Sequence, residues 1–445
     1  MLNMKIKIFA VLVSLSFLIA DVQAATGSKV ESKTESKNND ESYRKLEVFA
    51  KVLGYLEDHY IEKVDISRLM DDALKGITEN LDPHTIYLSP DLYRQMKVDT
   101  SGEFGGVGVE LGFNDAKELI IVTPTEDGPA IKQDMRTGDR LLEVNGKSTQ
   151  GWTLFEAVKH IRGARGSMVT LTLLRKGDEK PFEVILKREI MHIQSVEYRM
   201  LPDMIGYIQI KSFQEKTDQE VKRAFNKLQG MTAKDKSSDK LKGLVLDLRN
   251  NPGGLLDQAI NVADLFLTDG VIVSTRGRDN SLQSEAKAQG EGTLPYVPMI
   301  TLINEGTASA AEIVAGALQD QHRSALLGSA SFGKGSVQNI IDLEDGSALK
   351  ITIARYYTPN GRPIQNVGNQ PDIYVSSQTP LSIEPNMIRE KDLQGRIETV
   401  DEKGTKPGSD QKTKEDKALA ADIQLKSGME YLKSANYFRI KDAKQ

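Results

Sequence analysis

The chain has no cysteine among its 445 residues. That excludes disulfides, a lipidated cysteine, thiolate zinc sites and a catalytic thiol. An excess of positive charge is also missing: 58 Lys and Arg face 63 Asp and Glu, a formal charge of −5 with both signs mixed. Nothing here supports wrapping a phosphate backbone, so no nucleic-acid partner is expected. The apolar run at residues 8–20 is shorter than the roughly 20 residues a bilayer span needs, and Asp21 closes it. With Lys5 and Lys7 ahead of it and small residues up to Ala24, residues 1–24 read as a secretory signal peptide. A retained membrane anchor is the alternative. Residues 25–42 hold almost nothing apolar and read as a flexible tether.

What is present divides by pattern. The length suggests about two to four domains. Apolar residues recur at helical spacing at Leu46, Phe49, Ala50, Leu53 and Leu56, and again at Leu69, Ala73, Leu74 and Ile77, so residues 43–98 form a helical segment. His59 and His84 in it have no ligand set beside them and read as structural. Residues 102–188 change to short β-branched strands (VGVEL, LIIVTP, MVTLTLLR, PFEVILK) separated by glycine turns, with one helix at residues 154–161. From Met191 the pattern alternates strands (MIGYIQI, LKGLVLDLR, MITLIN, SALLGS, ALKITIARYY) with helices at 218–228, 255–267 and 308–318, which argues α/β. Residues 381–445 are a charged linker and a terminal helix with Leu419, Ile423, Met429 and Leu432 on one stripe and Leu425 off it. That helix is expected to pack on the body or on a second subunit.

Glycine placement makes the first resemblance. The segments FGGVGV (104–109), GPA (128–130) and GDRLLEVNG (138–146) resemble a PDZ domain of the bacterial, protease-associated kind, taken as residues 99–188. Such a fold grips a C-terminal carboxylate with bare backbone N–H groups and adds the peptide as a strand to an open sheet edge. The resemblance places the tail-binding loop at Phe104, Gly105, Gly106, Val107, Gly108 and Val109.

Three further segments resemble the carboxyl-terminal processing, or tail-specific, serine proteases: NEGTASAAEI (304–313), SFGKGSVQ (331–338) and LVLDLRNNPGG (244–254). The expected fold is multidomain α/β and α+β. An α/β serine protease core over 189–380 carries an inserted PDZ domain, with helical N- and C-terminal segments.

Ser309 follows a strand through a small-residue turn and opens a helix, where developing negative charge is favoured. A serine needs a base. His322 sits in a polar QDQHR stretch and reads as a solvated surface residue. The resemblance assigns the base to Lys334, which has to be buried to be neutral at working pH. It assigns Gln338 to orient the lysine amine, and Ala310 with Gly253 or Gly254 to the oxyanion hole. Glu312, one turn after Ser309, is an alternative orienter or polar wall, with an exposed helix carboxylate as the plain reading. Glu305 and Thr307 replace smaller residues of the family pattern and are expected to alter the entrance to the site. The segments 354–362 and 371–373 also match, as core and active-site wall.

Two false matches fall away. Residues 328–334 mimic a phosphate loop, but Gly335 replaces its Ser or Thr and SVQNIIDL reads as a strand. Glu312 stands where an SxxK enzyme, such as a β-lactam-reactive one, has its lysine. The resemblance implies an endopeptidase without metal or organic cofactor. It acts on exported proteins with exposed C-terminal tails, in the periplasm or at the outer face of the inner membrane, with the PDZ domain gating the active site. An adaptor or activator is unknown, and a homodimer through the terminal helices is an open expectation. The alternative is a catalytically silent PDZ adaptor.

Overall fold

The computed structural model describes residues 31–125, 128–232, 240–377 and 421–442; the signal-peptide segment and the charged linker up to residue 420 lie outside them. The chain forms two units, residues 1–74 and 75–445. In the first, helix α1 (Glu31–His59) begins inside the segment expected to be a tether. Its Glu and Lys residues are good helix formers and extend a helix already nucleated by the apolar stretch. Tyr43, Leu46, Phe49, Val52 and Leu56 along it are exposed. Helix α2 (Ile66–Glu79) runs across the boundary.

The second unit opens with β1 (Ile86–Leu88) and α3 (Pro90–Ser101). Pro90 starts this helix with its φ already set. Gly102 ends it at φ 68°, returning its N–H to Val98 O at 2.9 Å. Strand β2 (Glu103–Gly106) leads into the PDZ layer: β3 (Val109–Phe113), β4 (Leu119–Pro124), a one-turn helix α4 (Pro129–Lys132), β5 (Arg140–Val144), β6 (Lys147–Ser148), α5 (Leu154–Ile161), β7 (Met168–Leu174) and β8 (Phe182–Lys187). The sheet order is β3-β4-β5-β7-β8, with β6 on β5. Thr153 and Glu156 cap α5 reciprocally. Val107, Ile121, Leu141, Leu171 and Leu186 form its core. Strand β9 (Glu189–His192) returns antiparallel to β2 as a neck.

The protease segment continues with β10 (Val196–Leu201), β11 (Ile205–Ile210), α6 (Thr217–Thr232), β12 (Gly243–Asp247), α7 (Leu256–Asp264), β13 (Val271–Arg276), β14 (Leu282–Lys287), β15 (Met299–Ile303), α8 (Ala310–Asp320), β16 (Ala325–Gly328), β17 (Ser336–Asp342), β18 (Ala348–Tyr357), β19 (Ile373–Tyr374) and α9 (Ile423–Asp442). Its main sheet is ordered β10-β11-β12-β15-β16-β19 and is parallel except for β10. Strands covered on both faces need apolar residues throughout, and β12 and β15 are buried along their full length. Alternation sends Leu244, Leu246, Ile208 and Ile210 to the α6–α8 side and Val245, Tyr207, Ile300 and Leu302 to the side covered by α9.

The terminal helix docks on that second face through Leu425, Met429 and Leu432. Leu425, expected off the stripe, is on it, because spacings of four and three keep these residues on one side while Ile423 is only partly covered. ALKITIARYY is also not a strand of the main sheet. It is β18 of a separate antiparallel sheet with β17, β13, β14 and β1, half-exposed on one face. Through β1 the nominally helical N-terminal segment contributes a strand to the catalytic half.

Candidate active site

Strand β15 ends in the main sheet, and the chain turns through residues 304–309 into α8. Ser309 sits at that corner with φ 55° and ψ −118°, a conformation a non-glycine residue holds only when its surroundings enforce it. The enforcement is visible. Ala308 N–H donates to Asn251 O at 2.9 Å, and Thr307 Oγ1 donates to Leu248 O at 2.8 Å. A Cβ on Gly253 would stand 2.8 Å from the Ser309 Cβ and 3.0 Å from the Ala310 nitrogen, so only glycine permits this approach. Thr307 is buried and ties the two turns together, so it does not shape the entrance as expected; Glu305 is exposed.

Glu312 joins this corner to the lysine loop. Its side chain is 0% exposed, which overturns the exposed-carboxylate reading. Oε2 accepts from Ser309 N–H and from Lys334 N–H, both at 2.8 Å. Oε1 accepts from Ser331 Oγ at 2.6 Å and Gly333 N–H at 2.7 Å. With two donors on each oxygen the buried carboxyl is satisfied, and one side chain sets the separation of the serine and lysine segments. Asn369, also fully buried, backs the arrangement by donating Nδ2 to Glu312 O and N–H to Ser331 Oγ, each at 2.7 Å.

Lys334 is half-buried between Gly333 and Gly335, which pack against residues 364–368. Burial lowers its proton affinity below the usual lysine range, and the Lys350 cation lowers it further, while Asp82 and Glu312 pull the other way. Lys350 comes from β18 and is itself lowered by burial. His84 is lowered by burial, then by Lys334, so it stands in the field of the same lysine rather than apart from it.

Beside it, desolvation pushes Asp82 up, but hydrogen bonds from Thr85, His84 N–H and Thr352 hold it below the usual carboxylate range. Sequence reasoning missed Asp82 and Lys350 and read His84 as structural; only the Asp-Pro-His-Thr turn marked the spot.

Gln338 departs from expectation. Its Nε2 donates to Ser336 Oγ at 2.7 Å and Ser336 O at 3.2 Å. A bulge between Val337 and Gln338 breaks the two-residue alternation, and Lys334 lies ahead of β17, so counting four residues along one strand does not by itself put the two side chains on one face. The phosphate-loop mimic is indeed followed by a strand, and His322 is exposed.

The two glycines proposed for the oxyanion hole differ. Gly253 N–H already donates to Asn251 Oδ1 at 2.8 Å. Gly254 lies in a bridge to Phe213 that uses Gly253 O and Leu255 N–H and leaves the Gly254 N–H out.

In the PDZ layer, Phe104, Gly105 and Gly106 are not a loop but strand β2, laddered onto β9, with Gly105 O also accepting from Gly163 N–H. Phe104 lies under Arg162, 3.9 Å from its ring centroid. Val107 is buried in the core, and Gly108, at φ 73°, abuts Gly128. Only the turn into β3 therefore keeps the expected position, and Val109 already belongs to β3. Strand β3 is the edge of its sheet, with α5 beside it.

Among the described residues no cluster of side chains has the make-up of a metal site. None of their helices is long and apolar enough to cross a membrane.

Residues 204–375 match peptidase family S41, and residues 95–174 match the PDZ domain. A "Carboxy-terminal-processing protease" of Bartonella bacilliformis is 40% identical over 396 residues, 88% of this chain and 90% of that protein. The "Carboxy-terminal processing protease CtpA" of Bacillus subtilis is 34% identical over 78% of this chain and 72% of its own length. Among solved structures, a photosystem II D1 C-terminal processing protease aligns with 74% of this chain and 86% of its own, at 29% identity and a TM-score of 0.43. The silent-adaptor alternative has no support in these comparisons. The chain belongs to peptidase family S41, among its PDZ-bearing carboxy-terminal-processing serine proteases.

Proposed function

We propose that Ser309 is the nucleophile and Lys334 the general base of an endopeptidase that acts on exported proteins through their C-terminal tails. The observation that carries this is Glu312, whose one carboxyl oxygen holds the backbones of both Ser309 and Lys334. Neutral Lys334 takes the Ser309 Oγ proton as Oγ attacks the substrate carbonyl. The oxyanion is met by the N–H groups of Ala310 and Gly254. The ammonium of Lys334 then protonates the departing amine, and water activated by the same lysine releases the acyl group. Gln338 remains the residue for orienting the amine once substrate is bound, by exchanging its Ser336 contacts.

Tails would add to edge strand β3, with the Gly108 turn at the carboxylate and the exposed Leu154 and Phe155 of α5 against apolar side chains. The neck at β2 and β9 would transmit occupancy to the protease and so gate it. Export to the periplasm or the outer membrane-facing side of the inner membrane follows from the leader-like residues 1–24. The exposed stripe of α1 supports a homodimer.

The test is a digest of an exported, tail-bearing protein by the mature chain beside Ser309→Ala, read by intact mass. Cleavage by the wild type alone establishes the protease; cleavage by both removes Ser309 from the role. Phe155→Asp is expected to slow turnover of the tail-bearing protein by roughly five- to ten-fold, the scale of one lost apolar anchor, while a short tail-less peptide is cut as before. Equal slowing of both substrates would detach α5 from tail binding.

Lys334 works deprotonated, so activity rises with pH through its ionisation. Lys350→Met removes a cation that disfavours the protonated base, leaving Asp82 and Glu312 as the charges acting on it; His84, lowered by burial, is neutral where the lysine titrates. The acid limb of kcat/KM is therefore expected to move to higher pH. An unmoved or acid-shifted limb would show that Lys334 is not the titrating base.

A further inference from the structure

Residue Asp247 ends β12 on the sheet face covered by α9, and the next odd position, Arg249, extends toward the same side. Its side chain is 15% exposed. It reaches back to Asp247 through Nε and Nη2 at 2.7–3.1 Å. It also meets Asp422 in a bidentate pair, Nη1 to Oδ1 at 2.9 Å and Nη2 to Oδ2 at 2.8 Å, and Nη1 donates to Gln424 Oε1 at 3.0 Å.

Asp422 and Gln424 lie at the start of α9. That helix is anchored independently by its apolar face: Leu432 packs over Gly243, and Gly428 over Ile300 and Leu302. Gln424 Nε2 adds a bond to Val375 O at 2.8 Å. Burial opposes charge on both partners, yet Arg249 is held above its ordinary range and Asp422 below its own, each by the other.

Arg249 stands at the head of the turn that runs to Gly253 and Gly254. The residues after it lock onto the nucleophile corner: Asn250 and Asn304 exchange two bonds at 2.9 and 3.0 Å, and Asn251 accepts from Ala308 and from Gly253. The rear of this turn is gripped by a helix more than 170 positions later in the chain.

We propose that α9 is a working strap of the active site, in which Asp422, with Gln424, positions Arg249 and thereby sets the glycine turn against Ser309. The inference rests on the reading of that turn as oxyanion-binding. Asp422 is a positioning residue, and its loss acts on the chemical step rather than on substrate affinity.

Asp422 has a second task, accepting from Leu425 N–H at the start of α9 at 3.0 Å. Asn serves as well at a helix start, so Asp422→Asn keeps the helix capped and removes only the charge. The experiment uses the full chain as wild type, Asp422→Asn, Ser309→Ala and Lys433→Ala; Lys433 is on the same helix but pairs with Asp203 and Glu430.

Kinetics on a short peptide and thermal melting are measured for each. Asp422→Asn is expected to lower kcat about ten-fold with KM within about two-fold, and with melting close to wild type. Lys433→Ala should match wild type in all three. Wild-type kcat in Asp422→Asn, or a loss that only follows a loss of folded protein, overturns the strap and leaves the protease standing. Cleavage by Ser309→Ala overturns the active-site reading and the strap with it.

Discussion

Ser309→Ala and Lys334→Ala are each expected to lower kcat by about three orders of magnitude or more, and the double variant no further, because proton removal and attack are one event. KM on a short peptide should hold, since neither side chain is needed to bind it. The residual rate over water would come from the N–H groups of Ala310 and Gly254, which both variants retain. The lysine result is the more informative. Burial and Lys350 lower Lys334 toward a usable base, but a half-buried lysine can equally be a packing residue. Activity in Lys334→Ala within ten-fold of wild type would give the proton to another group. His84 would be the first to examine, because it shares the lysine's electrostatic surroundings.

Glu312→Ala has the second-largest expected effect, and it reaches stability as well as rate. It leaves the N–H groups of Ser309, Gly333 and Lys334 and the Ser331 hydroxyl without their acceptor. Each unsatisfied buried donor costs about 1–3 kcal/mol, reduced where a water enters the gap, so a net loss of roughly 3 kcal/mol is expected in denaturant unfolding. The Ser309 corner, already at φ 55°, loses its nearest restraint, and kcat should fall by about two orders of magnitude at temperatures where the variant is fully folded.

Glu312→Gln is expected to rescue little. Its amide NH₂ replaces one acceptor with a donor that faces donors. Near-normal kcat in either variant would mean that the serine and lysine loops keep their places without this tie.

Much of this molecule is legible in local pattern. The continuous apolar runs of β12 and β15, the alternation in β7 and β8, and the Thr153–Glu156 cap are decided within a few residues, so chain periodicity reveals them. The Ser309 and Lys334 segments carry enough glycine and small-residue detail to be matched by resemblance.

Misreadings arose where a distant partner decides. Phe104 to Gly106 read as a free loop until β9, more than eighty residues on, laddered to them. The four-residue spacing argument for Gln338 fails because a bulge in register with β18 leaves no mark in its own sequence. Leu425 was assigned to the wrong side because the sheet face it covers includes Tyr207, 218 residues earlier in the chain.

The sequence by itself determined most element types and the PDZ and protease segments, and it singled out Ser309 and Lys334 as the proposed nucleophile and base, because each depends on short-range periodicity or on a compact motif. Only the tertiary structure decided that Glu312 is buried, that Asp82, His84 and Lys350 surround the lysine electrostatically, and that α9 grips Arg249. Burial and electrostatic neighbourhood belong to how the chain closes on itself, and no window of adjacent residues contains them.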